Sequence, residues 1–171
     1  MDGMELTDYL AAHCNQPQGN NDRLHPALLT DITKKLGLLD TNIPPSAQVY
    51  LEVVLLEGMT CIGQVDLAAY DAGPPPRLYL VEAKVDRVGT GKSRKNHRDG
   101  IQNQLTVAYD FFYRRFGMMA DTFGVIRKSG VSSFEHYRLE HRNGTLIALP
   151  VHDHESMLDI ADLVQHPPRE K

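Results

Sequence analysis

Residues 78–85, Leu-Tyr-Leu-Val-Glu-Ala-Lys-Val, are apolar at odd and even positions alike except for Glu82 and Lys84. Side chains of a strand alternate between its faces, so this segment reads as a buried central strand, covered by packing layers on both sides. A charge on such a strand is costly unless it is paired or binds a metal. The chain around it has 171 residues and 42% hydrophobic content, enough for one domain with a real core. With 23% charged residues, 13 Gly and 10 Pro and no low-complexity tract, disordered, collagen-like and coiled-coil classes are excluded.

The pattern on either side fits such a sheet. Residues 4–14 and 22–36 read as helices, the second with Leu28, Ile32 and Leu36 on one face, Pro26 near its first turn and Gly37 past its end. After Pro44-Pro45 the period shortens, and residues 48–56, 60–70 and 77–86 read as three strands. Glu57-Gly58 and the turn at residues 71–76 join them, which makes an antiparallel meander. A basic, Gly-containing loop over 88–99 leads into a helix whose stripe is Ile101, Leu105, Ala108, Phe112 and Phe116, ending before Gly117. Residues 122–128 are a further strand, 134–151 a hairpin turning on Asn143-Gly144, and 154–165 a closing helix. This order predicts a single α/β domain over 1–171, with a central mixed sheet flanked by helices and its core at about 48–128.

Composition narrows the setting. The longest apolar runs, such as Val53-Val54-Leu55-Leu56, fall far short of the ~20 residues of a membrane-spanning helix. The first residues show no basic segment followed by an apolar one, so a cytoplasmic location is expected, with no membrane partner. Cys14 and Cys61 are the only cysteines and read as reduced thiols, too few for a thiolate zinc or iron–sulfur site.

The chemistry is concentrated in Gly63-Gln64-Val65-Asp66 and, fifteen residues on, Glu82-Ala83-Lys84. Glu82 and Lys84 share a strand face, roughly 6–7 Å apart, and Asp66 comes alongside if the two strands pair. Two converging carboxylates repel unless a cation lies between them, and Mg²⁺ takes carboxylate, carbonyl and water oxygens, the Ala83 carbonyl among them. Lys84 beside the ion would help orient a hydroxide and neutralise charge developing on a phosphoryl group. The competing reading is a solvent-facing ion pair worth roughly 0–1 kcal/mol, which the apolar strand around it disfavours.

These segments, with a following helix that carries Gln102 and Gln104, resemble the PD-(D/E)XK nuclease superfamily, closest to its RecB-type and Holliday-junction-resolvase-like branches. The resemblance spans about residues 48–116. It implies a restriction-endonuclease-like α/β fold, a Mg²⁺ or Mn²⁺ requirement and hydrolysis of DNA. By that similarity Asp66 and Glu82 bind metal, Lys84 assists the attacking water, and Gln102 or Gln104 reaches the phosphate or the lysine. Val65 stands where Pro is common, and Gln104 and Tyr109 are five apart rather than one helical turn.

Many members add an acidic residue or a His from the N-terminal elements, for which Glu52 and His25 are the candidates. Strand parity opposes Glu52: a Glu57-Gly58 turn sets it on the other face from Asp66 unless a bulge intervenes. Arg87, Lys92, Arg94, Lys95 and Arg98 follow Lys84 closely and are expected to meet the DNA backbone, although the whole chain carries a net charge of −4. The resulting expectation is an endonuclease on DNA, with a second copy or a partner subunit supplying specificity. A noncatalytic nucleic-acid-binding or scaffold subunit on the same fold, and a small-molecule phosphatase, are the alternatives.

Overall fold

A computed structural model of the chain, describing residues 3–16, 24–87, 94–149 and 152–153, arranges seven strands in one mixed sheet. Along the chain come α1 (Gly3–His13), α2 (Leu24–Lys34), the short α3 (Leu36–Leu39), β1 (Gln48–Glu57), β2 (Thr60–Asp71) and β3 (Arg77–Asp86). Then follow α4 (Arg94–Phe116), β4 (Ala120–Lys128), β5 (Glu135–Arg142), β6 (Thr145–Ala148) and β7 (His152–Asp153). The strand order is β1-β2-β3-β4-β5-β6, with β7 also paired to β5. β1 to β3 form the expected antiparallel meander, and β4 runs parallel to β3. A parallel neighbour needs a crossover, and α4 supplies it.

Two cores explain why β3 is apolar on both faces. Leu78 and Leu80 point into one core with α1 and α4, beside Leu6, Leu10, Leu105 and Phe112. Tyr79, Val81 and Ala83 point into the other, against Leu28, Leu29 and Ile32 of α2 and Leu36 and Leu39 of α3. All five of these β3 residues are fully buried, so the strand is the middle of a three-layer stack.

Several boundaries differ from the sequence reading, each for a local reason. The second helix stops at Lys34 because Lys35 leaves helical geometry (φ −126°, ψ 28°), and Gly37 then lies inside α3 rather than past the end. That break lets Leu36 and Leu39 join the α2 core. The last helix over the sheet starts at Arg94, so Lys95 and Arg98 are helical rather than in a loop. Gly100 does not delay it, since its bare Cα faces the Lys84 side chain, 3.9 Å from where a Cβ would sit. The first hairpin turns on Gly58-Met59, Glu57 pairing with Thr60, one residue beyond the expected turn. Asn143 (φ 51°) and Gly144 (φ 81°) make the expected β5–β6 turn, with Arg142 opposite Thr145. The expected helix over 154–165 and Lys92 lie outside the described residues. Among the described residues, no helix is long and apolar enough to cross a membrane.

An ion pair on β4 helps tie the α2 layer to the sheet. Arg127 of β4 donates to Asp31 of α2 at 2.6 Å and to the Ser132 carbonyl at 2.8 Å. The guanidinium holds the Asp31 carboxyl below its usual range. A depressed carboxylate adds stability above its unfolded pKa and loses it as pH falls through the folded one. Asp31→Asn should therefore cost about 0.5 kcal/mol at neutral pH, discounted for solvent screening, and the gap to wild type should close in acid. Urea melts at neutral and acidic pH measure this.

Candidate active site

The site forms where the meander stops being regular. β1 and β2 keep one offset on both sides of a gap, Leu51 opposite Leu67 and Val53 opposite Val65, so the unbridged Glu52 stands opposite Asp66. The register shift between Leu55 and Leu56 is the bulge that brings this about. Parity therefore favours Glu52, contrary to the sequence expectation. Glu52 itself is left-handed (φ 50°), and the strand changes face there. Val49 and Leu51 pack toward α2 and α3, whereas Val53 and Leu55 pack toward α1 and α4.

On the other side, the β2–β3 ladder runs from Asp71–Arg77 to Leu67–Val81 and ends. The next positions are Asp66 and Glu82. The strands part, and the Asp66 carboxylate takes the place of a ladder acceptor, its Oδ2 accepting the Ala83 N–H at 2.8 Å. Both backbone groups of a strand residue point toward the same neighbour, so the Ala83 carbonyl opens on the same gap. Glu52, Asp66 and Glu82 thus stand in a row across three adjacent strands.

Asp66 and Glu82 each have a basic neighbour. His25, in the first turn of α2, places Nε2 3.3 Å from Asp66 Oδ2. That contact holds the imidazole pKa above its ordinary value against burial; Glu52 adds to the rise and Lys84 opposes it. Lys84 Nζ lies 3.4 Å from Glu82 Oε1. The carboxylate is 2% exposed and the lysine 31%, so the ammonium stands at the mouth with the carboxylate beneath it. Burial, then the Asp66 carboxylate, push the Glu82 carboxyl well above the usual range, against a pull from Lys84. Its second oxygen, Oε2, is buried without a hydrogen-bond partner.

A divalent cation fits this arrangement. Two adjacent carboxylates, one with an orphaned oxygen, and a carbonyl facing the same gap are an all-oxygen donor set of the kind Mg²⁺ or Mn²⁺ accepts, with water completing the shell. Among the described residues, no three His, Cys, Asp or Glu side chains are arranged to hold an ion by themselves, so the protein's share would be two carboxylates and a carbonyl.

The remaining candidates divide. Gln102 Nε2 donates to the Leu146 carbonyl at 2.8 Å and is spent on tying α4 to β6. Gln104 leaves its Oε1 buried and unpartnered. Arg98 turns inward, its guanidinium 5.6 Å from the centre of the Tyr137 ring, while Lys95 is exposed beside Asp99 at 4.0 Å. Arg87 is exposed at the end of β3. Arg94 opens α4, with its side chain outside the described set.

Sequence reasoning did not single out Gly124 and Tyr137, which continue the row on β4 and β5. Glu82 registers with Gly124, and Gly124 with Tyr137. A glycine inside an apolar strand, Thr122-Phe123-Gly124-Val125-Ile126, signals a close approach, and that signal was available. His97, which in sequence adds to the basic run after Lys84, is buried in the first turn of α4, its Nε2 3.4 Å from Asp86 Oδ1. Compared with known proteins, no family model matches the chain, and no curated protein or solved structure is significantly similar to it.

Proposed function

We propose that the chain is a divalent-metal-dependent phosphodiesterase acting on DNA, an endonuclease of the PD-(D/E)XK type. The observation that carries this reading is the parting of β2 from β3. It sets Asp66, bound to the Ala83 N–H, beside a buried Glu82 with one unpartnered oxygen, and Lys84 stands 3.4 Å from the other. A buried carboxylate pair without a cation is a standing cost, and a structural ion pair needs only one of the two.

Asp66, Glu82 and the Ala83 carbonyl would hold Mg²⁺ or Mn²⁺. When bound, the ion would supply Lewis acidity at a phosphoryl oxygen and make a coordinated water more acidic than bulk water. The chain's residues do the rest. Lys84, the more exposed partner of Glu82, orients the attacking water by hydrogen bonding and offsets negative charge as it builds on the phosphoryl oxygens. His25 fixes the Asp66 carboxylate from the α2 side, leaving its orientation independent of substrate. Exposed Lys95 and Arg87 are the described cations nearest in sequence for the flanking phosphates.

The test is a substrate panel: supercoiled plasmid, end-labelled linear duplex, single strand and four-way junction, each with Mg²⁺, Mn²⁺ or EDTA. Metal-dependent nicking of closed plasmid is expected, absent from Asp66→Ala. Shortening of linear ends with closed plasmid untouched would make the enzyme an exonuclease. Binding of these DNAs without cutting under any metal would favour the noncatalytic subunit.

A further inference from the structure

The β1–β2 ribbon turns over at Glu52 and Asp66. To one side, Val53 pairs with Val65 and both pack toward α1 and α4; to the other, Leu51 pairs with Leu67 and both pack toward α2 and α3. This placement depends on a single extra residue. Beyond the Gly58-Met59 turn, Leu56 pairs with Cys61 and Leu55 with Gly63, which leaves Ile62 as the inserted residue of the bulge. A regular ladder running back from that turn would set Glu52 opposite Val65, one position short of Asp66.

α1 and the residues after it grip β1 on both sides of Glu52. The Tyr9 hydroxyl donates to the Val54 carbonyl at 2.8 Å and accepts the Leu56 N–H at 3.0 Å. Val54, opposite Gln64, keeps the register that includes Glu52, whereas Leu56 belongs to the shifted one. One oxygen therefore joins the two registers across the bulge. Past the end of α1, the Asn15 and Gln16 N–H groups donate to the Leu51 and Glu52 carbonyls at 2.7 and 3.2 Å. Glu52, with its left-handed backbone, sits between these two anchors. Tyr9 is 6% exposed, its ring packed against Phe111 and Phe116 with the Arg115 guanidinium 4.8 Å from its centre. A phenylalanine would fill the same space, so what the hydroxyl adds is the bridge. Glu52 also raises the pKa of His25, the imidazole that contacts Asp66, so its charge reaches the site.

We propose that Tyr9 is a positioning residue for the cation site: by bridging the bulge it holds Glu52 opposite Asp66, where a third carboxylate strengthens the pull on a divalent cation without ligating it. The inference rests on the cation-site reading above. It gives α1, whose side chains supply none of the site, a part in setting the site's charge.

The test is a Mn²⁺ titration of the metal-free full chain, followed by the electron spin resonance of free Mn²⁺. Tyr9→Phe and Glu52→Gln should each weaken binding about tenfold, the scale found for groups that act through the metal ligands. The double variant should bind no more weakly than either single one, because both lose the same charge from the same place. Glu52→Gln tests that link without touching either core. Tyr9→Phe should also melt lower than wild type, since two backbone groups lose their partner, and a purely structural tyrosine would do the same. Deletion of Ile62 separates the two roles: it removes the bulge while keeping Glu52 opposite Asp66, so Mn²⁺ binding should be retained and Tyr9→Phe should no longer weaken it. Normal binding by Tyr9→Phe or Glu52→Gln, losses that multiply in the double variant, or a Tyr9→Phe loss that persists after the deletion would overturn the proposal. Asp66→Ala, which should abolish binding, keeps the two readings apart: if it binds as wild type does, the cation site itself is wrong.

Discussion

Lys84→Ala should lower the rate of metal-dependent DNA cleavage about 10²- to 10³-fold while leaving Mn²⁺ affinity within a few fold of wild type. Lys84 is the part-exposed member of its pair and approaches the outer face of Glu82 at 3.4 Å. Its removal takes away a donor to the water and a positive charge where the phosphoryl oxygens gain negative charge, and neither is a metal donor. Losing the ammonium also removes a pull that lowers the Glu82 carboxyl pKa, leaving only that of the Asp66 backbone hydrogen bond. The metal then competes with a proton held somewhat more tightly, which accounts for a small affinity change. Glu82→Gln should differ in kind, losing cleavage and metal binding together. Single-turnover cleavage beside Mn²⁺ titration separates the two. Equal loss of binding in both variants would move Lys84 from the chemistry into the structure of the site.

Gly124→Ala should destabilise the chain by about 3 kcal/mol, at the upper end for adding a methyl group to a packed interior. The new Cβ would meet the tip of the Tyr137 ring at 2.4 Å, and that ring is 1% exposed, in the core beneath α4. Its terminal atoms cannot swing into solvent, so the ring must tilt or the strands must separate. For a chain of this length the loss corresponds to a fall of roughly 6–12 °C in Tm. In a Tyr137→Ala background the same substitution should add less than about 1 kcal/mol, because the clash has gone. Thermal melts of the four proteins measure the coupling. Additive costs would mean that strand backbone strain, rather than the ring, sets the requirement for glycine.

What could be read from the sequence was what depends on periodicity. Alternation over residues 78–85 requires cover on both faces, and α1 with α4 on one side and α2 with α3 on the other provide it. The meander and the Asn143-Gly144 hairpin follow from short connections and turn chemistry. The approach of Asp66 to Glu82 and Lys84 depends only on β2 pairing with β3, and it too was legible. Glu52 was not, because its place opposite Asp66 depends on a bulge near Leu55 and a left-handed backbone at Glu52 itself. One inserted residue reverses every parity argument upstream of it. The start of α4 was hidden for another reason. Residues 94–99 are charged or polar, with no apolar stripe, and they are helical because they continue a helix anchored by Ile101 and Leu105. Tyr137 reaches Gly124 across a strand pairing that no local pattern encodes.

Nicking of supercoiled plasmid by purified wild type and Asp66→Asn, side by side in Mg²⁺ and in EDTA, tests most directly the claim that the parted strands form a cation-dependent phosphodiesterase site. Asp66→Asn keeps the side chain's shape and an oxygen to accept the Ala83 N–H, while removing the charge a cation needs. The account predicts open-circular product from wild type in Mg²⁺ alone and none from the variant. Nicking that persists in EDTA, or that the variant retains in full, would contradict it.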